Sequence, residues 1–314
     1  MIKVTFLGTS AGAPTTRRNV TAAVVQLPQR GDAWLFDCGE ATQHQILRSP
    51  LRLSQLQTIF ITHLHGDHIF GLPGLLASRS MQSGSETGVT IYAPRGISDF
   101  LKATLDISGS QLKYSLDIKV VTEGKIYEDS HFEVYAAPLK HRMPCFGFAI
   151  IEKEQAGIFD VEQAKALGIP PGPVYGLLKS GATVTLDDGR VIDGTALVGT
   201  PRKGRKVTIC GDTIFTPNAV ELARDSDLLV HEATHLQEDL ALAERAFHST
   251  ATMAAETARQ ANAARLILTH FSARYEGEQG RIDELLAEAR AIFPNTDLAR
   301  DFLTVDVPLS SVPE

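Results

Sequence analysis

Four residues that could bind metal ions lie within one short segment of the chain. Residues 63–68 read His-Leu-His-Gly-Asp-His, the pattern H-x-H-x-D-H. Side chains two residues apart in an extended segment share a face, so His63 and His65 can bind one metal ion. Asp67 and His68, slightly further along, can bind a second. Because zinc accepts imidazole nitrogen and carboxylate oxygen as ligands, this segment predicts a site for two zinc ions.

The residues before this segment predict the strand that positions it. Residues 58–62 form an apolar, β-branched run that is typical of a strand buried on both faces. Residues 266–269 form a similar run that also ends in threonine and is followed by His270, as the first run is followed by His63. We therefore predict two related α/β halves, with ligands bound where their strands end.

The remaining metal ligands are predicted among residues that follow other strands. The candidates are His141, Asp212 and His270. One metal site would contain His63, His65 and His141, the other Asp67, His68 and His270, and Asp212 would bridge the two. Sites with two metal ions activate water and stabilise both oxygens of an in-line displacement, which suits hydrolysis of phosphodiesters.

Residues 152–206 differ from the rest of the chain and predict an insertion that projects from a single domain, 1–314. They include the turn-forming sequence Pro-Pro-Gly-Pro at 170–173. Residues 201–206 read Pro-Arg-Lys-Gly-Arg-Lys, with four positive charges and no acid. For such a charge run by itself, a solvated surface loop is the simpler interpretation.

Composition and charge exclude several classes of protein. The 314 residues are 43% hydrophobic and 21% charged, which is typical of a soluble globular protein. No apolar run approaches the roughly 18 residues that span a bilayer, and the N-terminus resembles a strand more than a signal peptide. Three scattered cysteines suit a reducing compartment, so we expect a cytoplasmic protein without a membrane partner. The net charge of −7 argues against binding nucleic acid by bulk charge.

The chain resembles the ribonuclease Z family of the metallo-β-lactamase superfamily, essentially from end to end. The segment H-x-H-x-D-H resembles the metal loop of the superfamily, and residues 36–40, Phe-Asp-Cys-Gly-Glu, resemble the family's first motif. Residues 14–19 are similar to its P-x-K-x-R-N loop, with Thr16 in place of the lysine. The H-E-A-T and H-S-T loops of the family are matched at 231–234 and 248–250, and the insertion looks like the family's flexible arm.

This resemblance implies a fold and an activity. The fold would be the α/β metallo-β-lactamase fold, a four-layer αββα sandwich with a projecting arm. The activity would be that of a zinc-dependent endoribonuclease that removes the 3′ trailer from precursor tRNA. It would leave a 3′-hydroxyl on the tRNA and a 5′-phosphate on the trailer. The resemblance also implies two Zn²⁺ per subunit and a homodimer, with precursor tRNA and not DNA as the partner.

The resemblance also suggests roles for individual residues. Asp67 would accept a proton, and Asp37 would orient a metal-binding histidine. His248 is our candidate donor of a proton to the departing oxygen, with Glu232 holding its tautomer. Proteins recognise A-form RNA through phosphates and 2′-hydroxyls. The candidate contacts to tRNA are Arg17, Arg18, Asn19, His231, Thr234, Ser249, Thr250, Pro171, Gly172, Pro173, Arg202, Lys203, Arg205 and Lys206.

Other interpretations predict different features. A hydrolase of the same fold acting on a small phosphodiester or other ester should lack the arm and the H-E-A-T and H-S-T loops. A non-enzymatic tRNA-binding protein should have lost metal ligands. Residues 231–235 also match the zinc-protease motif H-E-x-x-H, which requires a helix, whereas residues 228–230 predict a strand that leads into His231. The spacing alone leaves open a helix that begins within the motif and continues through Glu238 to Ala246. Cys210 is expected to be a buried structural cysteine.

Overall fold

The structure is a computed structural model that describes residues 2–27, 30–82, 87–154, 157–276 and 280–309. The chain divides into a larger unit within residues 1–151 and 206–308, and a smaller unit within 152–205 and 309–314. All of the predicted metal ligands belong to the larger unit. No helix in the described ranges is long and apolar enough to cross a membrane.

The described residues form short strands and helices along the whole chain. The strands are β1 (Ile2–Gly8), β2 (Ser10–Ala11), β3 (Ala22–Leu27), β4 (Asp32–Phe36), β5 (Leu56–Phe60), β6 (Val89–Ala93), β7 (Leu116–Val120), β8 (Gly124–Glu128), β9 (Phe132–Leu139), β10 (Cys145–Glu152), β11 (Thr183–Thr185), β12 (Val191–Asp193), β13 (Lys206–Ile209), β14 (Leu228–Glu232), β15 (Leu266–Thr269), β16 (Phe271–Ser272), β17 (Thr296–Leu298) and β18 (Thr304–Val307). The α-helices are α1 (Thr42–Leu47), α2 (Gly66–Ile69), α3 (Leu72–Gln82), α4 (Ile97–Ile107), α5 (Val161–Ala166), α6 (Pro173–Lys179), α7 (Pro217–Ala223), α8 (Leu240–Ala246), α9 (Ala251–Gln260) and α10 (Ile282–Ile292). Short 3₁₀ helices cover Leu53–Gln55, Gly194–Leu197, Gln237–Asp239 and Ala273–Tyr275.

Two sheets form the centre of the larger unit. The first has the strand order β18-β1-β3-β4-β5-β6-β7, and the second has the order β17-β15-β14-β13-β10-β9-β8. In the first sheet β4 to β7 are parallel, and in the second β13, β14, β15 and β17 are parallel. Parallel neighbours end at the same edge of a sheet, so the polar residues that follow β5, β13 and β15 are brought to the edges where ligands bind in α/β proteins.

The sheets pack face to face through a layer of aromatic and aliphatic side chains. Trp34 of the first sheet contacts Phe132 of the second, with ring centroids 5.7 Å apart. Phe60 and Phe148 make a second contact of this kind at 5.4 Å. All four side chains are buried. Close packing of large rings leaves little room for adjustment, so this layer holds the two sheets in a defined relation to each other.

Helices cover the outer face of each sheet. Helices α1, α3 and α4 pack on the first sheet through Ile46, Leu75 and Leu101, which share one buried cluster with Leu35 and Ile59. Helices α7, α9 and α10 cover the second sheet. In α9 the buried alanines at 251, 254, 255 and 258 form the face that packs inward, because they recur at helical spacing. The predicted order of helix, sheet, sheet and helix is confirmed.

The smaller unit contains the hairpin of β11 and β12 together with α5 and α6. Its own core consists of Ala164, Ile169, Leu178 and Leu197. At its two ends Arg205 and Glu152 form a buried ion pair, with Nε to Oε2 at 2.6 Å and Nη2 to Oε1 at 2.7 Å. Each side chain is only 2% exposed. This paired geometry is the one that arginine makes best with a carboxylate.

Candidate metal centre

The first group of possible ligands contains three histidines and one aspartate. The ligand atoms of His63, His65, His141 and Asp212 all lie within 4.8 Å of one another. His65 Nδ1 is 3.0 Å from His63 Nε2 and 3.2 Å from His141 Nε2. His63 and His65 follow β5, His141 follows β9 and Asp212 follows β13, so both sheets contribute. Imidazole nitrogens that lie this close together can bind the same metal ion.

The second group lies directly beside the first. Asp67 Oδ2 is 3.5 Å from His68 Nε2 and 3.4 Å from His270 Nε2. Asp212 Oδ2 is 3.4 Å from His68 Nε2 and 3.3 Å from His270 Nε2, and it is also 3.6 Å from His63 Nε2. One oxygen of Asp212 therefore faces ligands of both groups. The structure brings together all seven residues that the sequence nominated as ligands.

Local backbone geometry explains how neighbouring residues point into one centre. Helix α2 begins immediately after His65, so Asp67 and His68 lie in its first turn, while His65 itself is extended. His270 has a left-handed backbone with φ of 58°, which is uncommon for a residue other than glycine. Thr234 Oγ1 contacts this residue, at 2.9 Å from His270 Nδ1, which can donate to it, and at 3.0 Å from the His270 carbonyl oxygen.

Asp37 connects the end of β4 to His68. Its Oδ2 is 2.8 Å from His68 Nδ1, and its Oδ1 accepts a hydrogen bond from the Thr62 backbone N–H at 2.8 Å. The predicted strand at 58–62 is placed at Leu56–Phe60 instead, and Thr62 bonds to Asp37 rather than continuing the strand. With Nδ1 engaged by a carboxylate, His68 Nε2 is the nitrogen that faces the centre and can bind a metal ion.

The hydrogen bonding of the buried His68 Nε2 indicates whether these residues fit a metal ion. Among the described residues, His68 Nε2 is buried and has no hydrogen-bond partner. A buried nitrogen without a partner is costly in a protein interior, and a bound cation would satisfy it. The donors around it are imidazole nitrogens and carboxylate oxygens, the set that zinc accepts. The residues present therefore fit a pair of divalent metal ions.

The pKa values of several of these residues are shifted toward the protonation state that binds a metal ion. Burial lowers the pKa of His63 well below its usual value, and it also lowers the pKa of His65 and His141. Burial opposes the charge of Asp212, but His270 and other histidines outweigh it and hold the pKa of Asp212 well below the ordinary range. Neutral imidazole and ionised carboxylate are the forms in which these side chains bind metal.

His248 and Glu232 form a pair at the edge of the centre. His248 Nδ1 is 2.8 Å from Glu232 Oε1, and the other oxygen of Glu232 accepts from Thr234 Oγ1 at 2.6 Å. Burial opposes the charge of His248, but Glu232 outweighs it and raises the pKa of His248 to about 9. The His248 side chain is 16% exposed, and its ring centroid lies 5.0 Å from that of His141. A protonated, solvent-accessible imidazole thus stands beside the ligands.

The candidate tRNA contacts fall into three groups by exposure. Exposed or partly exposed residues are Arg17, Asn19, Pro171, Gly172, Pro173, Arg202, Lys203 and Lys206. Buried residues are His231, Thr234, Ser249, Thr250 and Arg205. The buried side chains contact the protein itself, as when Ser249 Oγ donates to the Thr213 carbonyl at 2.6 Å. Arg18 is partly buried, and its contacts with Glu276, Thr9, Ala299 and Phe271 all lie within the larger unit.

The zinc-protease interpretation of residues 231–235 is contradicted by the structure. Strand β14 runs into His231, as the sequence predicted, and ends one residue later at Glu232, while His235 lies between β14 and the next helix. On a strand, side chains four residues apart do not form the helical pair that this motif needs. Within the described ranges, neither His231 nor His235 belongs to a group of potential metal ligands. Cys210 is buried, as expected, and belongs to no such group there either.

Two contacts of the metal centre are not predicted by the sequence. The Gly12 backbone N–H donates to Asp67 Oδ2 at 2.8 Å, and Thr234 Oγ1 contacts both Glu232 and His270. A backbone N–H has no residue-specific signature. Thr234 was nominated as a contact to tRNA because of its motif, whereas its hydroxyl is occupied by two residues of the centre.

Comparison with known proteins identifies the fold of this chain. The family model described as "Anti-Pycsar protein Apyc1" matches residues 2–160, and the "Beta-lactamase superfamily domain" matches residues 187–271. Among solved structures, the short form of human tRNase Z has a TM-score of 0.71 and 32% identity, covering 98% of this chain and 100% of that chain. The metallo-beta-lactamase fold protein YhfI from Bacillus subtilis has a TM-score of 0.67 at 18% identity, over 97% of this chain and 98% of that one, which shows a shared fold.

Curated relatives match over nearly the whole length. Ribonuclease Z of Synechocystis sp. is 55% identical over 309 residues, which is 98% of this chain and 94% of the relative. Ribonuclease Z of Geobacillus kaustophilus is 54% identical over 308 residues, which is 98% of this chain and 99% of the relative. On this identity and coverage, the chain belongs to the ribonuclease Z family.

Proposed function

We propose how this member of the ribonuclease Z family, a metal-dependent endoribonuclease that removes the 3′ trailer from precursor tRNA, uses the residues of its metal centre. The observation that carries the proposal is the position of Asp212 Oδ2. It lies within 3.3–3.6 Å of ligand nitrogens from both groups, His63 in one and His68 and His270 in the other. A carboxylate in that position suits two metal ions held side by side.

The two ions would be Zn²⁺. One would be held by His63, His65 and His141, the other by Asp67, His68 and His270, with Asp212 between them. When bound, they supply an activated water and positive charge that stabilises the charge developing on the phosphate. All other steps belong to side chains of this chain.

Asp67 is the proposed proton acceptor. Burial raises the pKa of Asp67, but the neighbouring imidazoles of His270 and His68 outweigh burial and hold that pKa below its usual range. The carboxylate is therefore ionised, which is the state a proton acceptor needs. The Gly12 N–H and the two histidines restrict its orientation.

His248 is the proposed proton donor. Glu232 holds its Nδ1, so the proton on Nε2 is the one available for transfer. That proton would pass to the departing 3′ oxygen of the tRNA, leaving a 3′-hydroxyl on the tRNA and a 5′-phosphate on the trailer. The partial exposure of His248 allows it to regain a proton from solvent after each turnover.

Recognition of the tRNA would use exposed residues of each unit. Arg17 in the larger unit, and Pro171, Gly172, Pro173 and Lys203 in the smaller unit, are exposed. Contacts of this kind read the phosphates and 2′-hydroxyls of A-form RNA. We also propose a homodimer, as the family resemblance implies. The substrate and three buried, unpaired cysteines support a cytoplasmic location, with no role for DNA or a membrane.

A cleavage assay with mapped product ends tests this proposal. Zinc-loaded protein should convert precursor tRNA into tRNA with a 3′-hydroxyl and trailer with a 5′-phosphate. Asp67→Ala should reduce turnover by at least about 100-fold. Asp306→Ala is the matched control, because Asp306 is an exposed aspartate that pairs with Lys3 at a sheet edge. Reversed product ends, or near-normal turnover by zinc-bound Asp67→Ala, would contradict the mechanism. Cleavage of bis(p-nitrophenyl) phosphate without cleavage of precursor tRNA would contradict the assigned substrate.

A further inference from the structure

We propose that Arg18 is a positioning residue of the metal centre and not a contact to tRNA. Its guanidinium holds the loop at residues 12–19, and this loop presents the Gly12 N–H to Asp67. The inference rests on the proposed function, because it assigns Arg18 an effect on the residue that accepts the proton. It also distinguishes Arg18 from its exposed neighbour Arg17.

Nε and Nη1 of the Arg18 guanidinium already have hydrogen-bond partners, and one face of the group is covered. Nη1 donates to Thr9 Oγ1 at 2.8 Å and to the Ala299 carbonyl at 2.7 Å, and Nε donates to Glu276. Its Cζ lies 4.8 Å from the ring centroid of Phe271. The side chains of Arg18 and Glu276 are only 11% and 9% exposed. Turning Arg18 toward an RNA phosphate would break these bonds and leave the Glu276 carboxylate buried without its cation.

Further hydrogen bonds hold the second half of the loop, from Thr15 to Asn19. Within it, the Thr15 N–H donates to the Arg18 carbonyl at 2.8 Å, and the Arg18 N–H donates to Thr15 Oγ1 at 2.9 Å. Thr15 Oγ1 also donates to Glu276, so one carboxylate binds two residues of the loop. The next residue, Asn19, donates its backbone N–H to Asp301 Oδ2 at 2.7 Å. The loop is therefore tied to two distant segments of the chain.

Two paths connect the loop to the metal ligands. The first is the hydrogen bond of 2.8 Å from the Gly12 N–H to Asp67 Oδ2. Gly12 has φ of 71°, a conformation that favours glycine, and it aims this N–H only while the loop keeps its shape. The second is the parallel pairing of β2 with β16, in which Phe271 directly follows His270. Because Arg18 covers the Phe271 ring, it supports both Asp67 and His270.

Two substrates separate a positioning role from an RNA contact. Zinc-loaded wild type, Arg18→Ala, Arg18→Lys and Glu276→Gln would each be assayed with precursor tRNA and with bis(p-nitrophenyl) phosphate, which has no tRNA body. Loss of a residue that orients metal ligands costs about 10- to 100-fold in activity or metal affinity. We expect Arg18→Ala to lose kcat in that range on both substrates and to bind zinc more weakly in a chelator competition. KM for precursor tRNA should change by less than about threefold.

Conservative variants and a control complete the design. Arg18→Lys keeps the charge and should recover part of the lost kcat. Glu276→Gln should lower kcat on both substrates in the same direction, and it decides the question if Arg18→Ala fails to fold. Arg259→Ala is the matched control, since Arg259 also pairs with a glutamate, Glu256, but on the exposed surface of α9. It should behave as wild type.

The opposite pattern would overturn the inference. A KM for precursor tRNA raised about tenfold or more, with unchanged kcat on bis(p-nitrophenyl) phosphate and unchanged zinc affinity, would make Arg18 an RNA contact. Failure of the proposed function has a different signature. If wild type did not cleave precursor tRNA, the assigned substrate would be wrong, while the small substrate and the zinc competition would still decide the role of Arg18.

Discussion

His68 Nδ1 lies 2.8 Å from Asp37 Oδ2, and both residues are buried. This contact determines which nitrogen of the imidazole is left for a metal ion. Burial opposes the charge of His68, but Asp212 and Asp37 together raise its pKa well above the usual value. A metal ion at Nε2 would take the place of the proton that this environment favours.

Asp37→Ala should therefore weaken metal binding without touching a ligand. His68 would lose the acceptor that orients its ring, and loss of such a partner costs about 10- to 100-fold in metal affinity or activity. Zinc affinity measured by chelator competition checks the change. Asp37→Asn retains an acceptor oxygen and should lose less. Equal zinc affinity in wild type and Asp37→Ala would show that His68 needs no such partner.

Removal of the metal ions should destabilise the fold. The carboxylates of Asp67 and Asp212 would remain in the centre without the metal ions that they bind. At a free zinc concentration 1,000 times its Kd, a single bound ion contributes about 4 kcal/mol to the free energy of unfolding. Thermal unfolding before and after chelation, followed by addition of zinc, measures the difference. The same Tm in all three samples would contradict a metal-stabilised centre.

His248→Ala should reduce turnover in a manner that depends on the leaving group. The departing 3′ oxygen of tRNA needs a proton, and loss of a general acid costs about 10²- to 10⁴-fold. Nitrophenolate leaves without a proton, so the loss with bis(p-nitrophenyl) phosphate should be much smaller. Single-turnover rates with both substrates provide the comparison, and zinc content controls for damage to the centre. An equal loss on both substrates would argue against His248 as the acid.

Glu152→Ala should destabilise the smaller unit. It removes the carboxylate that pairs with the buried Arg205 guanidinium, and breaking a buried pair from one side costs about 3–5 kcal/mol. Hydrogen exchange of residues 157–204 reports the loss. Asp188→Ala is the control, because Asp188 forms an exposed pair with Arg190 in the same unit. Unchanged protection in Glu152→Ala would mean that other contacts hold the ends of the unit together.

Much of the fold and of the centre follows from local sequence. The spacing of His63, His65, Asp67 and His68 places four donors on one short loop, which few structural roles other than metal binding explain. The repeated pattern of apolar run, threonine and histidine indicates two parallel-strand halves whose strands end at a common site. These features can be predicted because they depend only on the spacing of a few neighbouring residues. Backbone geometry alone relates that spacing to the direction in which each side chain points.

The tertiary structure alone decided which polar side chains face inward. By residue type and motif, Arg18 and Arg205 are as suitable for binding phosphate as Arg17. What distinguishes them is a carboxylate partner from a distant segment: Glu276 is 258 residues from Arg18, and Glu152 is 53 residues from Arg205. The Gly12 N–H reaches Asp67 across 55 residues in the same way. No local pattern contains such pairs, because they arise only when packing of the two sheets and their covering helices brings distant segments together.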